Sequence, residues 1–227
     1  MIHLFFPYKK ICEVPVKEVQ KALITVFKNW GIPKWIKVDN GRPFGDPRLD
    51  LIPPLALWLI GLGIKVIWNR PRTPQDNAKV ERSQGVLGTW TEFHKCKDGF
   101  DLQLRLWREA HFHNYHFPIR RMKNRTRIQV FAKLAFTGRV WTPDDFNMQR
   151  ILNFLAQAAW QRNVSTNGQV IIYGNRFSIG TAYKHQSVSV KLCPLKNQWM
   201  VFDTKGTMVK AVPAPFSQKA IWNLDLS

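Results

Sequence analysis

Between positions 16 and 30 the apolar residues Val16, Val19, Leu23, Val26 and Trp30 recur at the spacing of one helical face, with polar residues between them. That period predicts an amphipathic helix, and Gly31 followed by Pro33 supplies its stop. Residues 35–38, Trp-Ile-Lys-Val, are aromatic and β-branched and read as a short strand ended by the Asn40-Gly41 turn. A loop through Asp46 and Asp50 leads to a short apolar helix starting near Pro54, and residues 64–68 form the next strand. Residues 2–6 also read as a strand. Thr73, Pro74 and Asp76 have the order of a capping-box-like helix start, which would place Glu81 about two turns into a helix, with Asn77 on the same face. Residues 101–116 predict another helix, with Leu102, Leu106, Ala110 and His113 along one face. Strand and helix alternate, as in an α/β core.

After Gly138 the pattern changes. Thr142-Pro143-Asp144-Asp145 predicts the start of a helix carrying Ile151, Leu152, Leu155 and Ala159 and ending near Arg162. Short strands follow at 169–173, 176–179, 187–192, 199–202 and 208–212. Asn167-Gly168, Gly174-Asn175 and Lys205-Gly206 punctuate them as hairpin turns. Strands this short and evenly spaced point to a small antiparallel β-barrel. Residues 118–127 hold Arg120, Arg121, Lys123, Arg125 and Arg127 and read as a basic linker, either a solvated tether or an arm that tracks a nucleic-acid backbone. The expected division is therefore a core with a helical extension and linker over 1–137, then a helix and a barrel over 138–227.

Composition narrows the partner. The 227 residues, 45% of them hydrophobic, suffice for a real core. Lys+Arg 34 against Asp+Glu 15 gives a net charge of +19, which suits a phosphate-rich ligand bound through counterion release. Cys12, Cys96 and Cys193 are odd in number and scattered, which excludes a disulfide framework and implies reduced thiols. The apolar run over 51–63 is interrupted by Pro53-Pro54 and falls short of spanning length, and no signal peptide is evident. A soluble, cytoplasmic protein is expected, nucleoid-associated when bound to DNA. His111, His113 and His116 with Cys96 lack the paired spacing of a structural zinc site.

Two acids carry the candidate chemistry. Asp39 falls at a strand end and Glu81 on a helix, 42 positions later. Carboxylates so placed offer hard oxygen ligands to a divalent cation; the alternative is a turn cap and a solvated helix charge. Asp46 and Asp50 are the nearest other acids and read as turn caps. Arg70, Arg72, Lys79 and Arg82 surround the pair in sequence and read as phosphate contacts or as a solvated face. Gly85 and Gly88 lie one and two turns beyond Glu81, each costing a helix about 1 kcal/mol relative to Ala, so close approach of a backbone is their reading.

Trp30-Gly31-Ile32-Pro33, Val38-Asp39-Asn40-Gly41-Arg42-Pro43-Phe44, Leu62-Gly63-Ile64 and the run from Pro71 through Arg82 together resemble the catalytic core of retroviral-type integrases and bacterial transposases with the Asp, Asp, Glu triad. The resemblance covers about residues 13–131. It implies an RNase H-like α/β fold, with Asp39 as the second acid and Glu81 as the third, both ligands to Mg²⁺ or Mn²⁺ in a two-metal site. It also implies DNA contacts from Arg70, Arg72, Asn77, Lys79 and Arg82. The implied activity is metal-dependent cleavage of a phosphodiester and joining of the DNA 3′ end to target DNA. Partners would be double-stranded DNA, at element ends and target, and further copies of the chain in a homo-oligomer. The first acid of the family is missing: before Asp39 the only acids are Glu13 and Glu18. The chain is therefore expected to be N-terminally incomplete and inactive alone. The C-terminal region resembles the small barrel that follows the core in phage-Mu-like transposases, which implies contacts to DNA or to neighbouring subunits. A non-catalytic DNA-binding or transpososome-assembly protein is the alternative.

Overall fold

The computed structural model describes residues 15–46, 51–70, 73–76, 78–131 and 138–226. The strand expected over 2–6, along with Cys12, Glu13 and Asp50, lies outside the described residues. The chain folds as a mixture of helices and strands in two compact units, Met1–Asn40 with Ile67–Thr142, and Gly41–Val66 with Pro143–Ser227. This grouping differs from a linear division at 137/138, because Gly41–Val66 joins the later part of the chain.

In the first unit, helix α1 (Val16–Trp30) buries Val19, Leu23 and Phe27 and ends at Gly31, whose φ of 79° lets its N–H reach the Phe27 carbonyl at 2.9 Å. Strand β1 (Trp35–Val38) and strand β2 (Lys65–Trp68), the latter crossing the boundary between units, make a two-stranded sheet. A 3-10 turn, Pro74–Asp76, precedes α3 (Ala78–Thr91), which packs on α4 (Gly99–Tyr115). Because the chain makes that turn first, Glu81 falls in the first turn of α3 and not two turns in. Asp98 caps α4 by accepting from the Asp101 N–H, so this helix starts before the apolar face that predicted it.

The basic stretch expected as a linker carries local structure of its own. Ile119 and Arg125 form a bridge around a 3-10 turn at Arg120–Met122, with Lys123 and Asn124 left-handed at φ 58° and 56°. Thr126 and Gln129 then form a reciprocal capping box for α5 (Arg127–Val130). Arg127 donates from Nη1 to the His113 carbonyl at 2.6 Å, fastening the turn to α4.

In the second unit, α2 (Pro54–Gly61) is apolar all round, and every residue from Leu55 to Gly61 is buried. It packs against α6 (Met148–Leu155) and α7 (Gln218–Trp222). The Asn147 N–H and the Arg150 guanidinium both donate to the Gly61 carbonyl at 3.0 Å, satisfying the end of α2. Gly61 is required there, since a Cβ would run into the Phe146 ring. Helix α6 stops at Leu155, short of the expected end near Arg162, and Ala159 opens β3 (Ala159–Asn163). The cause is non-local: β3 pairs antiparallel with β6, Ala159 opposite Lys191, and that ladder overrides the helix propensity of alanine.

Strands β3, β6 (Ser187–Cys193), β7 (Gln198–Phe202) and β8 (Met208–Pro213) lie in that order in one antiparallel sheet, while β4 (Gln169–Ile172) and β5 (Asn175–Ser178) form a separate hairpin. The five expected strands are thus present, with β3 added. No pairing among the described residues joins β3 to β8. Tyr173 and Gly174, at φ 48° and 76°, turn the β4–β5 hairpin. Val188, Val190 and Leu192 of β6 and Trp199 and Val201 of β7 alternate into the core. Among the described residues no helix is long and apolar enough to cross a membrane.

Candidate functional site

The loops leaving β1 and β2 are stitched together. The Asn69 N–H donates to the Val38 carbonyl at 2.9 Å, and Asn40 Nδ2 donates to the Asn69 carbonyl at the same distance. Asp39, the first residue after β1, lies between these two links and is exposed.

Asp76 fastens the approach to α3 onto β1 and onto the segment leaving β2. Its Oδ2 accepts from the Arg70 backbone N–H at 3.0 Å and from Nε at 3.2 Å, and its Oδ1 accepts from Nη2 at 3.0 Å, a forked charge-assisted pair. Lys37 of β1 donates to the Asp76 carbonyl at 3.2 Å, with Nζ 3.4 Å from Oδ1. Lys37 is two residues before Asp39, and Asp76 is five before Glu81. One clamp therefore anchors the strand end that carries the first acid and the helix start that carries the second. Glu81 is exposed, and a carboxylate in a first turn is favoured by the helix dipole whatever else it does.

The hydrogen bonds from the Arg70 side chain, then from its backbone, hold the Asp76 carboxyl well below the usual carboxylate range. A depressed folded-state pKa stabilises the fold at pH above the ordinary Asp value, and the contribution is lost as pH falls through the depressed one. Hydrogen exchange should report this: in Asp76→Asn the Arg70 amide and the first turn of α3 exchange faster at neutral pH. The wild-type advantage should shrink on acidification below the ordinary carboxylate range. Equal protection in both proteins at neutral pH would show that the clamp does not hold the helix start.

The other expected site residues divide. Arg70 is exposed but committed to Asp76, so its first role is structural. Arg82 is exposed in the first turns of α3. Arg72, Asn77 and the side chain of Lys79 lie outside the described residues. A Cβ on Gly85 or Gly88 would meet nothing within 4 Å among the described residues, so none of these demands either glycine. Asp46 pairs with Arg42 at 2.8 Å, in keeping with a turn. His113 is buried against Trp90, its ring centroid 5.6 Å away, and burial pushes its pKa down; it is a core residue. His111 stacks on Tyr115 at 4.5 Å. Among the described residues no three His, Cys, Asp or Glu side chains gather to hold a metal ion.

Two features were missed in the sequence. Arg70 and Asp76 bracket a proline-containing turn with opposite charges, a readable signal of their pairing that the capping-box pattern alone does not give. The cationic turn around Arg120, Arg121, Lys123 and Arg125, all exposed, is announced by the Thr126-x-x-Gln129 box that follows it, a signal the linker reading passes over. No known protein-family model matches the chain.

Proposed function

We propose that the chain is part of a DNA transposase or integrase with an RNase H-like core and a small C-terminal barrel, catalytically incomplete by itself. The observation that carries this reading is the clamp of Lys37, Arg70 and Asp76, which anchors the chain beside Asp39 and the helix start that bears Glu81. Two exposed carboxylates fit Mg²⁺ or Mn²⁺ in donor type, as hard oxygens with room for water and phosphate oxygens. Bound there, such ions supply a polarised water or 3′-hydroxyl and offset the charge of a phosphodiester under attack. The chain's own part is to present Asp39 and Glu81 as ligands and to bring DNA phosphates to them through exposed cations such as Arg82. The net charge of +19 supports the same partner.

Catalysis by the chain alone would need a third carboxylate. Glu18, the described acid before Asp39, lies on helix α1 beside Lys21 and not on a strand next to β1. That observation favours, as second reading, a DNA-binding or assembly protein that works without metal. Calorimetric titration with Mn²⁺ separates the two. The first reading expects weak binding that is lost in both Asp39→Asn and Glu81→Gln, with affinity for duplex DNA in the absence of metal unchanged. Mn²⁺ binding that is absent from the wild type, or that survives both substitutions, would leave the second reading standing.

A further inference from the structure

Helix α4 carries two apolar faces. On one, Leu106 and His113 are buried as the helix packs on α3 and α5. On the other, Phe100, Leu104, Trp107 and His111 recur at spacings of four, three and four residues, the seam of a heptad repeat. All four are exposed, Phe100 at 71%, Leu104 at 45% and Trp107 at 63%. Single exposed apolar residues are ordinary, but a continuous seam along a helix about 25 Å long is the pattern of an interface.

We propose that α4 is a self-association helix, its outward seam packing antiparallel on the same seam of a second copy of this chain. The flanking charges select both partner and direction. With Phe100 and Trp107 as d positions and Leu104 and His111 as a positions, the e positions are Asp101 and Arg108 and the g positions are Gln103 and Ala110. In an antiparallel pair e faces e, so Asp101 meets Arg108 of the second copy, twice across the two-fold axis. The same register layers Leu104 on Trp107 and Phe100 on His111, large against smaller. A parallel pair sets e against g, where Arg108 meets glutamine, Asp101 gains no cation and Trp107 shares a layer with its own counterpart, large against large. The antiparallel contact is isologous and closed, so it yields a dimer and no fibre. Within its own helix Asp101 already pairs with Arg105 at 3.2 Å and Arg108 with Glu109 at 2.8 Å. The cross-helix pairs therefore add specificity to a seam whose affinity comes from apolar burial. The interface is small and belongs with weak complexes, with a dimer Kd on the order of 10 µM.

Sedimentation equilibrium of the full chain, without DNA or metal, tests this independently of the acid pair. The wild type should show a monomer–dimer equilibrium across the micromolar range. Trp107→Glu, an exposed position, should weaken it by about a hundredfold while far-UV circular dichroism stays native. Asp101→Arg and Arg108→Asp should each weaken it about tenfold, and the two together should restore it to within about threefold of the wild type. A monomeric wild type, a dimer indifferent to Trp107→Glu, or a double exchange no better than the single ones would overturn the proposal.

Discussion

A fragment comprising residues 138–227 is expected to lack a fixed tertiary structure, although it contains every strand of the four-stranded sheet. Its missing part is α2, which the chain delivers from an earlier stretch. Seven of the eight α2 residues are buried, and Leu55, Leu57, Trp58 and Leu59 have no exposed surface at all. Without α2, the faces of α6 and α7 that cover it would open to water, with Trp222 losing its edge-to-face contacts at Trp58 and the Asn147 and Arg150 donors losing the Gly61 carbonyl. Burying side chains of this size contributes about 1.5–3 kcal/mol each, so the deletion removes on the order of 10 kcal/mol. Whole domains are stable by only about 5–15 kcal/mol, and a deficit of this size leaves a molten state. Near-UV circular dichroism and urea unfolding of the fragment should show a weak aromatic signal and no cooperative transition. A chain joining residues 51–66 to 143–227 through a short linker should recover both. A cooperative transition in the short fragment, with a full aromatic signal, would show that α2 is dispensable.

That prediction also marks the limit of what the sequence discloses. Elements announced by their own local pattern were legible: the seam of Val16, Val19, Leu23, Val26 and Trp30 gave α1 its bounds, and alternation with glycine turns located β4 to β8. The uniform hydrophobicity of α2 said that it is buried but carried no period to say against what, so its assignment to the later unit was not readable. The end of α6 was misplaced for the same kind of reason, because Ala159 is extended by a partner thirty-two positions away, Lys191. At the candidate site, the strand end at Asp39 was readable from Asn40-Gly41. The role of Asp76 was not, since one of its partners, Lys37, lies 39 residues earlier. Whether Asp39 and Glu81 act together as a metal site is decided by the Mn²⁺ titration.

Trp199→Ala should be the most damaging single substitution in the second unit, lowering its stability by about 3–5 kcal/mol. Trp199 has 0% exposure on β7 and touches aromatic rings brought by three other segments. Trp160 of β3 meets it edge-on at 5.4 Å, Tyr173 at the hairpin turn lies nearly parallel at 5.9 Å, and Phe216 before α7 is tilted steeply at 5.5 Å. One side chain thus joins the sheet, the separate β4–β5 hairpin and the C-terminal segment. Alanine would leave a cavity among rigid rings that cannot collapse into it, and would remove three aromatic pairs worth about 0.5–1.5 kcal/mol each beyond area. Phenylalanine should behave differently. The Trp199 indole N–H is buried with no acceptor among the described residues, so its loss removes an unsatisfied donor and offsets part of the lost volume. Trp199→Phe is therefore expected to cost under about 2 kcal/mol. Urea denaturation followed by tryptophan fluorescence and by far-UV circular dichroism gives both values. Equal destabilisation by the two substitutions would mean that the indole N–H has a partner and that polar satisfaction, not ring packing, holds this core together.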